Sequence, residues 1–323
     1  MSSTSAYISS VSRLFKARTL TKGTINELFS SRDWKELLGI LKEKGILEET
    51  PDSVDRAELL LKKRALDQLQ ELYNLSNSLK LARDIVQGYI YRMTLDELTY
   101  VVSSIWNKVK EDTSRLIYLK AKLDQIPSTL EELNSILQGT IYGQALGFAQ
   151  SKSPKDLSQF NSLLEYFFIH YMSMLTEGLK GDWKVSANNI LCGYKDYYST
   201  SLAVRQKIAF GPTCRMSEDD IRDLASSKTP EDVLNVLRRT SYSKSLDLSG
   251  VYTALASFNN IARSNARLGA LGVFMGSPFN PIVAMGVSEL IKLDTEDLIT
   301  LINGMKLGVM PEKLKSSVSF QQV

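Results

Sequence analysis

The sequence predicts an all-α protein made of three similar helical sectors. Apolar residues recur at intervals of three and four along most of the chain, which is the period of an amphipathic helix. Alternating, strand-like patterns are few, and only eight prolines interrupt the 323 residues. A unit of two short helices also returns along the chain, which is typical of a sequence built by triplication.

The clearest copy of this unit covers residues 25–46, in which two stretches of helical spacing flank Ser30 and Ser31. A second copy, residues 221–242, superposes on the first after a shift of 196 residues (221 minus 25). A fainter copy, residues 129–142, superposes on the second after a shift of 100 (229 minus 129). Amphipathic helices in general share leucine positions. They do not require shared serines, threonines and tyrosines, so these matches favour true repeats.

The three copies divide the chain into three predicted sectors, residues 1–115, 116–210 and 211–323. The first sector begins with a helix, because Tyr7, Val11, Leu14 and Phe15 lie at helical spacing. Large apolar side chains of the repeated unit are expected in the core, where they hold its two short helices together. The predicted core residues are Trp34, Leu38, Leu41, Leu234 and Leu237.

A mostly apolar stripe runs from Leu61 to Met93 in alternating steps of four and three, after a helix start at Pro51 and Ser53. A continuous helix of this length would span roughly 50 Å at 1.5 Å per residue. The alternative is a pair of helices interrupted at residues 74–77.

Each sector is predicted to end in a capped helix. The spacing of Thr94 and Glu97 is that of a capping box, in which each side chain bonds the other residue's backbone N–H. The same step recurs in two further pairs, Ser186 with Asn189 and Asp294 with Asp297. The predicted helices are residues 98–109, a helix from Ile190 onward, and residues 298–307.

One stretch is long enough to raise a membrane span, because Arg267 and Glu289 bracket 21 uncharged residues. Glycines together with Pro278 and Pro281 break the middle of any continuous helix there. A buried helix–turn–helix corner is therefore the better interpretation.

The composition gives no general case for nucleic-acid binding, because 39 basic residues are nearly balanced by 36 acidic ones. Cys192 and Cys214 have no metal-ligand spacing and make no disulfide framework, so a reducing, cytosolic setting is expected.

Groups suited to catalysis are few. The single histidine, His170, lies in an aromatic run and is expected to be a packed residue rather than a ligand or a base. The acidic clusters fall in predicted first turns of helices, where the helix dipole alone favours carboxylates. These clusters are Glu131 and Glu132, Glu218 to Asp220, and Glu231 and Asp232. The sequence therefore predicts no catalytic residue, no metal ligand and no cofactor.

The C-terminal third carries a family pattern: residues 277–282 read SPFNPI, followed by Glu289-Leu290, by Asp297-Leu298-Ile299, by GMK at residues 304–306 and by GVMPE at residues 308–312. This pattern resembles the C-terminal signature of the C-type subunit of archaeal and vacuolar-type (A/V-type) rotary ATPases, the relative of the eukaryotic d-type subunit. The N-terminal residues Tyr7, Val11, Arg13 and Leu20 are similar to the family as well. The chain departs from the family at Asp297-Leu298-Ile299, where asparagine, leucine and arginine are usual, and at Lys292-Leu293, where lysine and glutamate are usual.

The resemblance implies three sectors arranged about an axis in a funnel or socket. It implies a non-catalytic coupling subunit, peripheral on the cytoplasmic face of the membrane, without a small-molecule substrate. Its partners would be the central-stalk (axle) subunits and the membrane proteolipid ring. The complex would perform ATP-driven ion (proton) transport or ATP synthesis.

The candidate interface residues are four basic side chains in the first 24 residues, a stretch without acidic residues: Arg13, Lys16, Arg18 and Lys22. They are candidates for contact with an acidic partner or with lipid headgroups, and a solvated helix face is the alternative. Two other functional classes stay open at this point. One is a helical-repeat scaffold that recruits partners without a rotary role, and the other is a helical enzyme whose carboxylates perform acid–base chemistry.

Overall fold

The computed structural model describes residues 3–109, 112–211, 213–277 and 279–322, and all regular elements in these ranges are helices, as predicted. Pro278, part of the predicted corner, lies outside the described residues. The α-helices are α1 Ser3–Lys16, α2 Lys22–Phe29, α3 Trp34–Glu43, α4 Val54–Leu75, α5 Lys80–Met93, α6 Leu95–Asn107, α7 Leu130–Ile136, α8 Ile141–Ser151, α9 Leu157–Glu177, α10 Gly181–Gln206, α11 Glu218–Ser226, α12 Pro230–Arg239, α13 Val251–Gly272, α14 Val283–Lys306 and α15 Pro311–Leu314. Short 3-10 turns are Leu119–Ala121, Val273–Met275, Lys315–Ser317 and Ser319–Gln322.

The helices group into two compact units. Unit 1 comprises Met1–Tyr89, Leu175–Tyr194 and Ala256–Val323, and unit 2 comprises Ile90–Met174 and Lys195–Leu255. The division into sectors 1–115, 116–210 and 211–323 describes sequence repeats and stays a prediction.

The core of unit 1 is built around α14, a helix that is buried on nearly every side. Helices α1, α3, α4 and α15 pack against it. Leu298, Leu301 and Ile302 of α14 meet the leucines of the first helical pair, among them Leu28 and Leu38. Burial on all sides requires an apolar helix, and the exceptions to that rule form the polar cluster described below.

Unit 2 has a separate core, rich in aromatic side chains. Tyr142 of α8 is fully buried, with its ring edge-on to Tyr91 at 5.4 Å between centroids. Phe160 of α9 lies edge-on to Trp106 at 5.9 Å. Such edge-to-face pairs add stability beyond the area that they bury.

The predicted helical pairs are confirmed: α2 and α3 form the first, and α11 and α12 form the copy at residues 221–242. The second helix of each pair, and α7 in the faint copy, begins at a side chain that accepts backbone N–H bonds. These N-caps are Asp33, Thr129 and Thr229. Short polar side chains satisfy the otherwise unpaired N–H groups of a first helical turn, so the repeat has a local physical basis.

The stripe from Leu61 to Met93 forms two helices rather than one. Helix α4 ends at Leu75, and the Ser76 hydroxyl donates to the carbonyl oxygen of Leu72 at 2.7 Å. The interrupted pair, which the sequence left open, is therefore correct. A helical stripe sets the face of a helix but not its continuity, and polar turn residues decide the latter.

The three predicted capped helices are only partly correct. Helix α6 begins after Thr94, but the Thr94 hydroxyl donates to the Ile90 carbonyl oxygen and bonds the Tyr142 hydroxyl instead of capping. The predicted starts near Ser186 and Asp294 are wrong, because both residues lie inside long helices, α10 and α14. A capping-box spacing also occurs by chance in helix interiors.

Helix α1 forms as predicted, but its predicted apolar face is only partly buried. Tyr7 and Leu14 are exposed, whereas Ile8, Phe15 and three serines are buried. Helix α1 packs against α4 and α14.

The structure also bears on the predicted core residues and on the possible membrane span. Leu38, Leu41, Leu234 and Leu237 are buried as predicted, but Trp34 is only partly buried, because it lies at the exposed start of α3. None of the helices in the described ranges combines the length and the apolar composition that a membrane span requires.

Candidate functional site

Buried charge is concentrated on α14. Glu289, Lys292, Asp294 and Asp297 all lie among the buried residues of this helix. A buried charge is costly unless hydrogen bonds and an opposite charge compensate it, so the partners of these four side chains determine what the cluster can do.

Asp297 lies at the centre of the cluster, without exposed surface. Arg263 of α13 donates to one carboxylate oxygen, and Arg267 lies 3.3 Å from the other. The backbone N–H of Ser319 donates to Asp297 at 3.0 Å, and its hydroxyl donates at 2.5 Å. Burial alone would lower the pKa of the Arg263 guanidinium, but the carboxylates of Asp297 and Glu296 outweigh burial and raise it. Arg263 therefore stays charged, and the cluster ties the C-terminal segment to α13 and α14.

Asp294 binds the chain at the other end of the sequence. Its carboxylate accepts the backbone N–H of Leu20 at 2.7 Å and a guanidinium N–H of Arg267 at 2.8 Å. Burial raises the pKa of this carboxyl, and the charge of Arg267 opposes that rise. Asp294 thus fixes the segment that leads into α2.

Glu289 accepts hydrogen bonds from two tyrosine hydroxyls, Tyr89 of α5 at 2.8 Å and Tyr194 of α10 at 2.7 Å. Lys292 lies one turn further along α14, where its ammonium group pairs with Glu296 at 2.6 Å and lies over the Tyr194 ring. The arrangement binds α14 to two neighbouring helices. It resembles a structural network, because each charged group is hydrogen-bonded or ion-paired inside the protein.

A buried carboxylate with the same task recurs in unit 2. Glu97 accepts the backbone N–H groups of three successive residues, including Tyr118 at 3.1 Å. Asp196 accepts the N–H of Cys214 at 2.7 Å and of Arg215 at 2.8 Å. Each of these acids, like Asp294, holds the segment that precedes a repeated helical unit.

The three carboxylates are almost evenly spaced in sequence, by 99 residues (196 minus 97) and 98 residues (294 minus 196). The segments that they hold show the same period, from Leu20 to Tyr118 (98) and from Tyr118 to Arg215 (97). Sequence reasoning selected Glu97 and Asp294 as helix caps and missed Asp196. The period near 98 residues, applied to Glu97, would have identified it.

The groups weighed for catalysis in the sequence are the single histidine and the acidic clusters. His170 stacks on Tyr166 with 6.1 Å between ring centroids, and its Nδ1 atom is buried without a hydrogen-bond partner. The described residues contain no group of three or more histidine, cysteine or acidic side chains that could hold a metal ion. The acidic clusters do lie in first turns, those of α7, α11 and α12.

The cysteines differ from expectation, because neither Cys192 nor Cys214 is a free thiol. Since disulfides are uncommon in reducing compartments, cysteine usage no longer argues for a cytosolic setting.

The four candidate interface residues occupy different environments. Arg13 donates to the Phe274 carbonyl oxygen at 3.0 Å, and the Lys16 ammonium group lies 5.3 Å from the Phe274 ring centroid. Arg18 pairs with Glu71 at 3.0 Å on α4. Lys22 lies on the wall of a cleft of about 480 Å³ between α2 and the C-terminal segment. The structure therefore brings Arg13 and Lys16 together and separates Arg18 and Lys22 from them.

Exposed apolar side chains lie beside both ends of α14. Met275, which is 89 % exposed, and Phe279 precede the helix. Leu307, which is 82 % exposed, and Met310 follow it. The 24 residues of α14 separate the two groups by roughly 36 Å, at 1.5 Å per residue. Exposed apolar residues that cluster in this way are typical of interaction surfaces.

These features define a class of protein: an all-α protein whose buried charges stabilise its fold and whose exposed apolar groups are suited to partners. Comparison with known families identifies the member of that class. Residues 8–317 match the family described as the ATP synthase (C/AC39) subunit, and the chain belongs to that family. No individual curated protein matches the chain significantly.

The family places the chain in the V/A-type rotary ATPases, as one of their subunits. Subunits of this family are non-catalytic, so the chain is not an enzyme by itself. Its partners are other subunits of the complex.

Proposed function

We propose that this chain is the coupling socket of a rotary ATPase, which links the central-stalk (axle) subunits to the membrane proteolipid ring. In this proposal it lies on the cytoplasmic face of the membrane, and three helical sectors surround an axis. Its role is to transmit force between the two partners during ion transport or ATP synthesis.

The observation that carries this proposal is the construction of α14. Buried carboxylates fasten this helix to α5, α10, α13 and the chain termini, and its two ends carry exposed apolar side chains. A side chain held by several charge-assisted hydrogen bonds resists rotation and sliding, which suits an element that transmits torque. A protein that binds two partners also needs two separate surfaces.

Arg13 and Lys16 are the interface candidates that fit this proposal best. Both lie beside Phe274, next to the exposed Met275, so a positive charge borders an apolar group. Interfaces between separable subunits combine an apolar centre with a polar rim. Arg18 is less suited to partner contact, because Glu71 already pairs with it.

A binding experiment tests the proposal. The purified chain is immobilised, and the binding of axle subunits and of detergent-solubilised proteolipid ring is measured separately. We expect both to bind. The double variant Arg13→Glu with Lys16→Glu reverses two charges beside Phe274. It should lower the affinity for one of the two partners roughly tenfold and leave the affinity for the other unchanged.

The matched control is Lys63→Glu, which reverses an exposed charge on α4. This variant should bind both partners as the wild type does. Failure of the chain to bind either partner would refute the proposed coupling role. Binding by the Arg13 and Lys16 variant as strong as that of the wild type would show that these two residues are not part of an interface.

A further inference from the structure

The turn at residues 307–310, which follows α14, is a rigid and apolar projection. The N–H of Val309 donates to the carbonyl oxygen of Gly304, and the N–H of Gly308 donates to that of Met305. These two bonds form a Schellman motif, with Gly308 in the left-handed conformation at φ +79°. The motif fixes the backbone, so no backbone ordering is needed before the neighbouring side chains bind.

The side chains of this turn are directed away from the core. Leu307 is 82 % exposed and Met310 is 63 % exposed, with Val309 between them also exposed. Water contact with adjacent apolar groups is unfavourable, so a fixed group of this kind is suited to an apolar environment.

Lysines surround the base of the turn. The Lys306 ammonium group lies 5.0 Å from the Trp34 ring centroid, and that of Lys35 lies 5.8 Å from it. Lys313 is exposed three residues after Met310. None of these three lysines makes an ion pair within the described part of the chain.

The neighbouring carboxylates are already engaged. Glu312 pairs with Lys315 at 2.6 Å, and Glu36 accepts the backbone N–H of Arg32 at 2.7 Å. Asp33 accepts two N–H groups as the N-cap of α3. All three lysines are exposed, so their ammonium groups are accessible to an external anion.

We propose that the turn at residues 307–310 is a membrane-contact tip, which places Leu307 and Met310 among the headgroups of an anionic bilayer. The charge complements phosphate headgroups, and tryptophan with lysine is the combination that favours a membrane interface. A bilayer also accepts a projecting apolar group without a matching pocket. The inference rests on the proposed function only in placing the chain beside a membrane ring.

Vesicle binding tests the tip directly. The full chain is sedimented with vesicles of neutral phosphatidylcholine, or of phosphatidylcholine containing phosphatidylglycerol. We expect binding to the anionic vesicles that weakens as salt is added. Leu307→Asp with Met310→Asp should reduce that binding roughly tenfold or more, because both apolar contacts become repulsive. Both positions are exposed, so the fold should tolerate the change.

Tyr252→Asp is the matched control, since Tyr252 is an equally exposed large side chain in unit 2. It should leave vesicle binding unchanged. A second readout uses Leu307→Cys labelled with an environment-sensitive dye, which is selective because neither native cysteine is a free thiol. The dye should shift to the blue on anionic vesicles, and a dye at Tyr252→Cys should not.

Two results would overturn the proposed membrane contact. One is no binding of the wild type to anionic vesicles, and the other is binding by the double aspartate variant that equals that of the wild type. Normal vesicle binding by that variant, together with failure to bind the proteolipid ring, would assign the turn to a protein partner. The assay contains no other ATPase subunit. A chain that does not bind vesicles could therefore still couple the stalk to the ring. Conversely, a chain that does not couple them could still bind vesicles.

Discussion

At the scale of single residues, Asp297 shows how buried charge stabilises unit 1. It binds Arg263, Arg267 and Ser319 at once, without contact with solvent. Asp297→Ala should lower the free energy of unfolding by about 3–5 kcal/mol, because two buried guanidinium groups lose a partner. Urea denaturation would measure this loss.

An exposed pair provides the control. Glu49→Ala removes the partner of Arg56, and both side chains are about half exposed. We expect a change of roughly 0–1 kcal/mol. Equal stability of Asp297→Ala and the wild type would contradict the role of the cluster.

The residues of the cluster could be located from the sequence, but their tasks could not. Asp294 and Asp297 stood out because of their spacing, which suggested a helix cap. In the fold they bind Leu20 and Ser319, which lie far away in sequence. Local spacing predicts local hydrogen bonds and contains no information about such distant partners. The hydrogen bonds from Tyr89 and Tyr194 to Glu289 could not be predicted for the same reason.

At the scale of elements, the helical pairs depend on the leucines between their helices. Leu38→Ala and Leu234→Ala should each cost on the order of 2–5 kcal/mol, the range for large-to-small changes in a core. Both side chains are buried, so each change leaves a cavity. Thermal or urea unfolding would measure the cost.

Leu307→Ala is the matched control, because it makes the same change at an exposed position. It should alter stability by less than roughly 0.5 kcal/mol. Unchanged stability in both core variants would show that the repeated leucines do not hold the helical pairs together.

The N-cap of α12 should make that element sensitive to acid. The hydrogen bonds from Thr229 lower the pKa of the Asp232 carboxyl below its ordinary value of 3.8. The stabilisation is therefore present above pH 3.8 and is lost as the pH falls through the lowered pKa. The melting-temperature difference between wild type and Asp232→Ala should be largest above pH 3.8 and should close in acid.

Glu231→Ala provides the comparison, since Glu231 lies in the same first turn but bonds the exposed side chain of Arg238. This variant should change the melting temperature little across the same pH range. A gap for Asp232→Ala that widens in acid would contradict the capping explanation.

Elements with local causes were predictable. The pair α2 and α3 follows from helical spacing, a serine break and the Asp33 cap, all within a few residues. The buried face of α1 was not fixed by local pattern, because packing against neighbouring helices decides which side of a helix is buried.

At the scale of the whole molecule, the sequence period and the compact units describe different properties. The period near 98 residues relates Glu97, Asp196 and Asp294, whereas the units reflect contacts between helices distant in sequence. The all-α class was predictable because helical spacing is a local property. The arrangement of three sectors about an axis was not predictable in the same way, because the spacing of residues along the chain does not determine contacts between sectors. That arrangement therefore remains part of the proposed function.

The coupling role is tested most directly by removing the chain from an assembled complex in sealed vesicles and adding it back. Nucleotide hydrolysis by the soluble part and ion pumping by the whole are measured together. We predict that hydrolysis survives removal, that pumping stops, and that the purified chain restores pumping. Pumping that continues without the chain would contradict the proposal that it couples the central stalk to the ring.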